Sequence, residues 1–364
     1  MKVFYCNHCH SQIMYTNSLC INCNKVVGYL PASQDMATFE QTEQGWLALD
    51  GSEKYYRPCA NYQEYHVCNW MIDADDPAQF CSSCQLTSVI PNLHEEKNIE
   101  YWSKLEISKR RFLYITQRLD IFPRPKQNPD DALGLSFRFL VPTEDQPVMT
   151  GHANGVITLN AFEADHLYRE QTRITMGENY RTLLGHFRHE SGHYYFDVLI
   201  ANTDWINEFR QIFGDERQDY GQALQHYYEH SAPKDWQDHF ISTYASSHPW
   251  EDWAETWAHY LHMLSTLDTA YHIGMTVDKR HKNGPELRFT EAPTHAQDFE
   301  LTLNNWFALS YGLNSLNQSM GLEDAYPFIL SSTVLDKLRF IHKVLQHVSA
   351  HKRDDKRFNQ IQRC

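Results

Sequence analysis

RTLLGHFRHESGHYYFDVL, residues 181–199, is the stretch on which the fold and the chemistry turn. It contains His189, Glu190 and His193 in the order HExxH. On a helix, positions i and i+4 share a face, so both imidazoles can reach one ion. Glu190 follows the first histidine and faces the side where a reacting water would lie. Zinc lowers the pKa of such a water to about 7, and a carboxylate can take its proton during attack on a carbonyl. Leu184, Phe187, Tyr194 and Val198 form an apolar stripe that predicts a buried helix. Two histidines do not complete a catalytic zinc site, because a third protein ligand is needed. The extended HExxHxxGxxH pattern fails, since residues 194–199 read YYFDVL. The segment HPWEDWAETWAHYLH, 248–262, is the best source of the missing ligand. Glu251 and Glu255 lie one helical turn apart there, with His259 one turn later. Glu251 is the first choice, and Glu255 and His259 are the alternatives. Trp250, Trp253, Trp257 and Leu261 on the same segment argue for a partly buried acidic stripe rather than a solvated face.

Outward from this segment the pattern is mainly helical. Helices are expected near 177–200, 203–213, 216–230, 249–268, 298–311 and 332–350. Two strands precede them. LGLSFRFLV, 133–141, alternates apolar residues on one face, and GVITLN, 155–160, is short and β-rich. GVITLN suits either a cleft edge that pairs with an extended peptide or an internal strand. His94 to Leu119 carries Ile99, Trp102, Leu105, Phe112, Ile115 and Leu119 at helical intervals and reads as a linking helix. PRPKQNPDD, 123–131, breaks it. The basic end KRDDKRFNQIQRC, 352–364, reads as a frayed surface terminus.

Residues 1–93 are different in kind. Eight of the nine cysteines lie there: Cys6, Cys9, Cys20, Cys23, Cys59, Cys68, Cys81 and Cys84. Such density without an export signal points to metal ligands rather than disulfides. Cys6-x2-Cys9-x10-Cys20-x2-Cys23 has zinc-ribbon spacing, which makes a closed tetrahedral site. Cys59-x8-Cys68-x12-Cys81-x2-Cys84 supplies a second set, with His66 a possible substitute ligand. The expected complement is one catalytic and two structural zinc ions.

The 364 residues allow one large core with a smaller module. Expected divisions are a zinc-ribbon module at 1–93, a linking helix at 94–122 and a metallopeptidase domain at 123–364. The fold class is α+β, with the ribbon followed by a mainly helical domain carrying a small sheet. A net charge of -14 argues against general nucleic-acid binding. Residues 1–93 hold four Lys or Arg against nine Asp or Glu, so the ribbons suit a protein partner better than phosphates. No apolar run is long enough for a membrane span, and MKVFYCNHCH has no signal-peptide core, so a cytoplasmic location is expected.

The phrases CNHC…CINC, RPCANYQEYHVCNW, YRTLLGHFRHESGHYYFDVL and HPWEDWAETWAHYLH together resemble a bacterial family of zinc-binding metallopeptidases with an N-terminal zinc ribbon. That resemblance spans most of the chain and implies a zinc-dependent peptidase acting on a protein or peptide. The catalytic half is similar, more remotely, to the peptidase domain of anthrax lethal factor, a gluzincin in which HExxH is followed by an ExxxE helix. This resemblance implies that Glu251 is the ligand and Glu255 an acid supporting a ligand histidine. It also implies that Asp197 anchors a ligand histidine, and that Tyr244, seven residues before Glu251, is catalytic. A tyrosine in that role would donate to the tetrahedral oxyanion. A competing reading is a zinc-scaffolded adaptor that binds a partner without turnover. Glu190 argues against it, because an adaptor needs no base beside the metal.

Overall fold

The computed structural model describes residues 1–351 and Phe358; the other terminal residues, including Cys364 and the rest of the basic end, lie outside the described residues. Cysteine knuckles and short alternating strands dominate the N-terminal part. Strands β1 (Phe4–Tyr5) and β2 (Gln12–Ile13) form the first hairpin. A five-stranded antiparallel sheet follows: β3 (Val26–Leu30), β4 (Asp35–Thr42), β5 (Gly45–Ala48), β6 (Tyr55–Pro58) and β7 (Met71–Asp73), paired in that order. A bridge between Tyr29 and Trp70 brings the outer strands β3 and β7 toward each other. The short helix α1 (Ala60–Tyr65) lies between β6 and β7. Gly28 on β3 meets β7 closely, since a Cβ there would fall 2.7 Å from Met71 Cγ.

The expected linking helix is α2 (Glu96–Arg118). Its Trp102, Leu105, Phe112 and Leu113 are fully buried, as the helical periodicity predicts. It also buries Glu106, Lys109 and Arg110, with Lys109 Nζ 2.9 Å from Glu106 Oε1. A second sheet has the order β10-β11-β9-β8, from β8 (Thr87–Val89), β9 (Ser136–Leu140), β10 (Gly151–Ala153) and β11 (Val156–Asn160). β11 is the GVITLN segment, and it lies between β9 and β10. Its backbone groups are taken on both sides, so the cleft-edge alternative for this strand is excluded and the internal one holds.

The rest is helical: α3 (His166–Met176), α4 (Leu183–Leu199), α5 (Trp205–Phe213), α6 (Tyr220–His230), α7 (Trp236–His239), α8 (Pro249–His272), α9 (Phe299–Ser319) and α10 (Ser332–His351). The expected helix at 177–200 is α4, which starts only at Leu183; α3, not expected from the sequence, precedes it and ends at Gly177 in a left-handed conformation. Packing divides the chain into two compact units. One is Lys2–Gln117 with Phe122–Phe187 and Phe358; the other is Met1 and Arg118–Ile121 with the described chain from Arg188 to His351. The second has an aromatic core of Phe196, Phe209, Phe213, Trp253 and Trp257. No described helix is long and apolar enough to cross a membrane.

Candidate functional site

α4 and α8 meet at a glycine. A Cβ on Gly192 would sit 2.7 Å from Ala254 Cα, so only glycine lets the two helices approach this closely. The crossing is pinned by two indoles from α8: Trp253 Nε1 donates to the Gly192 carbonyl at 2.8 Å, and Trp257 Nε1 donates to Ser191 Oγ at 3.2 Å. α8 begins with Pro249 at its first position. His248 caps it, accepting from the Trp250 N–H through Nδ1 at 3.1 Å and reaching the Gln218 carbonyl with Nε2 at 3.2 Å. This start sets Glu251 in the first turn, where the helix dipole favours a negative charge.

The result is a convergence of His189, His193 and Glu251, with one ligand atom from each lying within 4.8 Å of the others. His189 Nε2 is 3.1 Å from Glu251 Oε2, and His193 Nε2 is 3.4 Å from Glu251 Oε1. Ligands held tetrahedrally about 2.0–2.1 Å from zinc lie about 3.3 Å apart, which matches both separations. Glu251 is buried. Its Oε2 has no hydrogen-bond partner despite the nearby imidazole. The reason lies on the other side of the ring. His189 Nδ1 is 2.7 Å from Glu255 Oε1. A carboxylate only accepts, so Nδ1 carries a proton, and in the neutral ring the Nε2 lone pair would face Glu251. Two acceptors then face one point, an arrangement that a cation satisfies. Without one, burial disfavours charge on His189, but Glu251 and Glu255 outweigh it and push its pKa well up. Glu251 is shifted well down by His193 and His189, against the opposing effect of burial.

The surroundings are built in layers. Ser242 Oγ donates to Glu255 Oε2 at 2.6 Å, so a chain of bonds runs from Ser242 through Glu255 to His189. The Trp250 ring packs on His193 with centroids 3.9 Å apart. Asp197 stands one turn beyond His193, and burial raises its pKa to about 6 against the pull of His193. Glu190 is buried. Tyr244 opens a short 3-10 turn, Tyr244–Ser247, and its ring lies 6.0 Å from that of His189. Burial and the Glu251 charge push its hydroxyl pKa up. His259 does not join the cluster: its Nδ1 is 2.9 Å from Tyr326 Oη, and burial lowers its pKa to about 4.

One residue was not singled out from sequence. Tyr220, at the start of α6, donates its hydroxyl to Glu251 Oε1 at 2.7 Å and also bonds Tyr244. It lies 31 positions before Glu251 in the chain, and no spacing rule connects the two.

In the other unit the cysteines come together in their two expected sets, Cys6, Cys9, Cys20 and Cys23, and Cys59, Cys68, Cys81 and Cys84. The closest sulfurs are 3.6 Å apart in the first set and 3.7 Å in the second. A disulfide needs about 2.05 Å, whereas four sulfurs about 2.3 Å from zinc lie about 3.8 Å apart. The spacing therefore fits a tetrahedral metal. His66 is exposed, and Cys68 takes the place it was considered for. The second set is wholly buried, and the first is half-exposed at Cys9 and Cys23.

Comparison with known proteins adds three findings. Residues 98–344 match the family model described as "Putative zinc-binding metallo-peptidase", and residues 3–95 match that of a zinc-ribbon domain. The chain is 39% identical over 350 residues to "Uncharacterized protein Rv2568c" of Mycobacterium tuberculosis (strain ATCC 25618 / H37Rv), covering 96% of each chain. The same figures hold for "Uncharacterized protein Mb2598c" of Mycobacterium bovis (strain ATCC BAA-935 / AF2122/97). No solved structure matches the chain, so the roles implied by the lethal factor pattern rest on the residues alone.

Proposed function

The chain belongs to this family of zinc-binding metallo-peptidases, and on that premise we propose that it hydrolyses peptide bonds in a protein or peptide substrate. The observation that carries the reading is the convergence of His189, His193 and Glu251 beside a buried Glu190. The three converging side chains would hold zinc. Zinc bound there would supply a Lewis acid that polarises the scissile carbonyl and lowers the pKa of a water to about 7. Glu190 would take the proton of the attacking water and later pass it to the leaving amine. Tyr244 would donate its hydroxyl to the developing oxyanion, a role suited by a phenol whose proton is held at neutral pH. Tyr220 would hold Glu251 in place through Oε1. Glu255 fixes the proton on His189 Nδ1, and Asp197 would do the same for His193.

Two further zinc ions would be structural, one in each cysteine set, in a ribbon module at 1–93 joined through 94–122 to a peptidase domain at 123–364. The gluzincin class follows from Glu251 as third ligand. The ribbons would serve as a protein-binding surface, in keeping with their acidic balance.

Glu190→Gln tests the reading, because Glu190 is no ligand. The variant is expected to keep its zinc and its fold while peptide hydrolysis falls by roughly 10²–10⁴. Zinc content by elemental analysis and product formation by mass spectrometry read the two separately. An unchanged cellular phenotype at normal zinc content would leave the adaptor reading in its place, and undiminished hydrolysis would remove Glu190 as the base.

A further inference from the structure

A cavity of about 340 Å³ lies beside the second half of α6. Ala223, His226, Tyr227 and His230 recur at i, i+3, i+4 and i+7, so one face of the helix lines it. Lys234 and Ser246–Ser247 close the other sides. The His226 and His230 rings stack with centroids 4.4 Å apart. Among the described residues, no Asp or Glu lines this cavity, in a chain whose net charge is -14. The neighbouring acids are engaged elsewhere: Glu229 accepts from Gln225 Nε2 at 2.8 Å, and Asp235 is 3.7 Å from His239. Its lining thus holds one formal positive charge, on Lys234, beside two imidazoles and no carboxylate.

It is also tied to the proposed reaction centre. Tyr227, in its wall, packs on Tyr244 at 5.9 Å, and Tyr244 packs on His189 at 6.0 Å. Tyr220, at the other end of α6, bonds Glu251. α6 has no buried residue, so it is an accessible wall leading from the metal ligands to the cavity. His226 and His230 stand six and ten residues along α6 from Tyr220, about 9–15 Å at the helical rise. An extended peptide advances about 3.3 Å per residue, so that distance corresponds to about three to five residues of substrate.

We infer that this cavity is a substrate subsite for an acidic side chain, Asp or Glu, three to five residues from the scissile bond. The inference rests on the peptidase reading and names the substrate class that reading leaves open. Lys234, His226 and His230 supply the recognition, and the small Ser246, Ser247 and Ala223 leave room for the carboxylate. The residues proposed for chemistry are untouched by changes here.

The test digests a synthetic peptide library with the zinc-loaded protein and reads cleavage sites by mass spectrometry. Acidic residues should be enriched at one position in that range. Replacing that residue by Gln in the best peptide should lower kcat/KM by up to about fivefold, as for exposed charge pairs. Lys234→Glu should shift the preference toward Lys at that position while cleavage of a peptide neutral there is retained. Cleavage with no acidic preference, or the same preference in Lys234→Glu, overturns the subsite and leaves the peptidase reading intact. A second measurement is independent of turnover. A fluorescein-labelled glutamate decapeptide and its glutamine counterpart are titrated into the Glu190→Gln protein, with and without Lys234→Glu. Lys234-dependent preference for the glutamate peptide, in a protein whose wild type cleaves nothing, upholds recognition of an acidic side chain at this cavity but overturns its place beside a scissile bond, together with the peptidase reading. Equal binding of the two peptides overturns the subsite.

Discussion

The cysteine sets and the His–His–Glu cluster are two ways of gathering side chains that can hold a metal, and they differ in what surrounds them. Each cysteine set brings four sulfurs from knuckles between short strands, enough to close a tetrahedron. Its neighbours are weak donors: Thr38 Oγ1 bonds Cys6 Sγ at 3.3 Å, and the Trp70 and Cys81 N–H groups reach Cys68 and Cys59 sulfurs at 3.4 Å. Beside the buried set, burial opposes the charge on Arg110, but Cys68 and Glu106 hold it protonated. The histidine cluster brings three candidate ligands from two long helices, one fewer than closes a tetrahedron. It surrounds them with groups that can move or hold protons: Glu190, Glu255, Tyr220 and Tyr244. Four ligands from loops suit a site that holds the chain together, and three from rigid helices suit a site that does chemistry.

The largest expected difference follows from that contrast. Structural zinc contributes about 10–16 kcal/mol in zinc-finger peptides, as much as a whole domain's stability. Cys68→Ala should therefore unfold the β3–β7 sheet, read by loss of amide exchange protection there. Glu251→Ala should lose zinc from the helical cluster and leave amide protection intact. Unfolding by Glu251→Ala together with tolerance of Cys68→Ala would reverse the roles assigned to the two regions.

Next in size is Tyr244→Phe. Removing an oxyanion donor costs about 2.7–4 kcal/mol of transition-state stabilisation, with zinc content unchanged. If zinc is lost instead, Tyr244 belongs to the holding of Glu251 and not to the chemistry. Glu255→Ala should weaken zinc at the helical cluster about 10–100-fold, as losses of a ligand's supporting group do, and Tyr220→Phe should do so by a similar or smaller factor. Competition with a chromogenic chelator measures both. If Glu255→Ala empties the site and Glu251→Ala does not, the ligand assignment is reversed.

The smallest effect compares two histidines. His189 is pushed up by its carboxylates, whereas His259, one turn beyond Glu255, is lowered by burial to about 4. A histidine kept neutral in the fold binds fewer protons than in the unfolded chain, so stability rises with pH between the two pKa values. Stability from His259 is present above about pH 6.5 and is lost as the pH falls toward 4. Thermal unfolding between pH 7 and 4 should show this loss, and His259→Phe should flatten it.

Much of this contrast is visible in the chain because it is local. The i, i+4 histidines, the CxxC knuckles and the periodicity of α2, α4 and α8 are short-range patterns, and the described helices follow them within a few residues. α3 escapes that reading. It buries no residue and leaves Leu167, Ile174 and Met176 exposed, so no core-facing stripe marks it. Its local signals are only the two ends: Asp165, whose carboxylate caps the Leu167 and Tyr168 N–H groups, and Gly177.

By itself, the sequence determined the two cysteine sets, the helix that carries His189 and His193 and the α+β class, since each depends on neighbours a few residues apart. Tertiary structure alone decided the rest. That Glu251 rather than His259 faces His189 depends on the crossing of α4 and α8 at Gly192. That β11 is internal depends on β10 pairing to its outer side. Tyr220 reaches Glu251 across 31 residues of chain, through a hydrogen bond that no periodicity records. Spacing rules carry only the geometry of one element, and these three facts are relations between elements, fixed by which side chains fill the space where the elements meet.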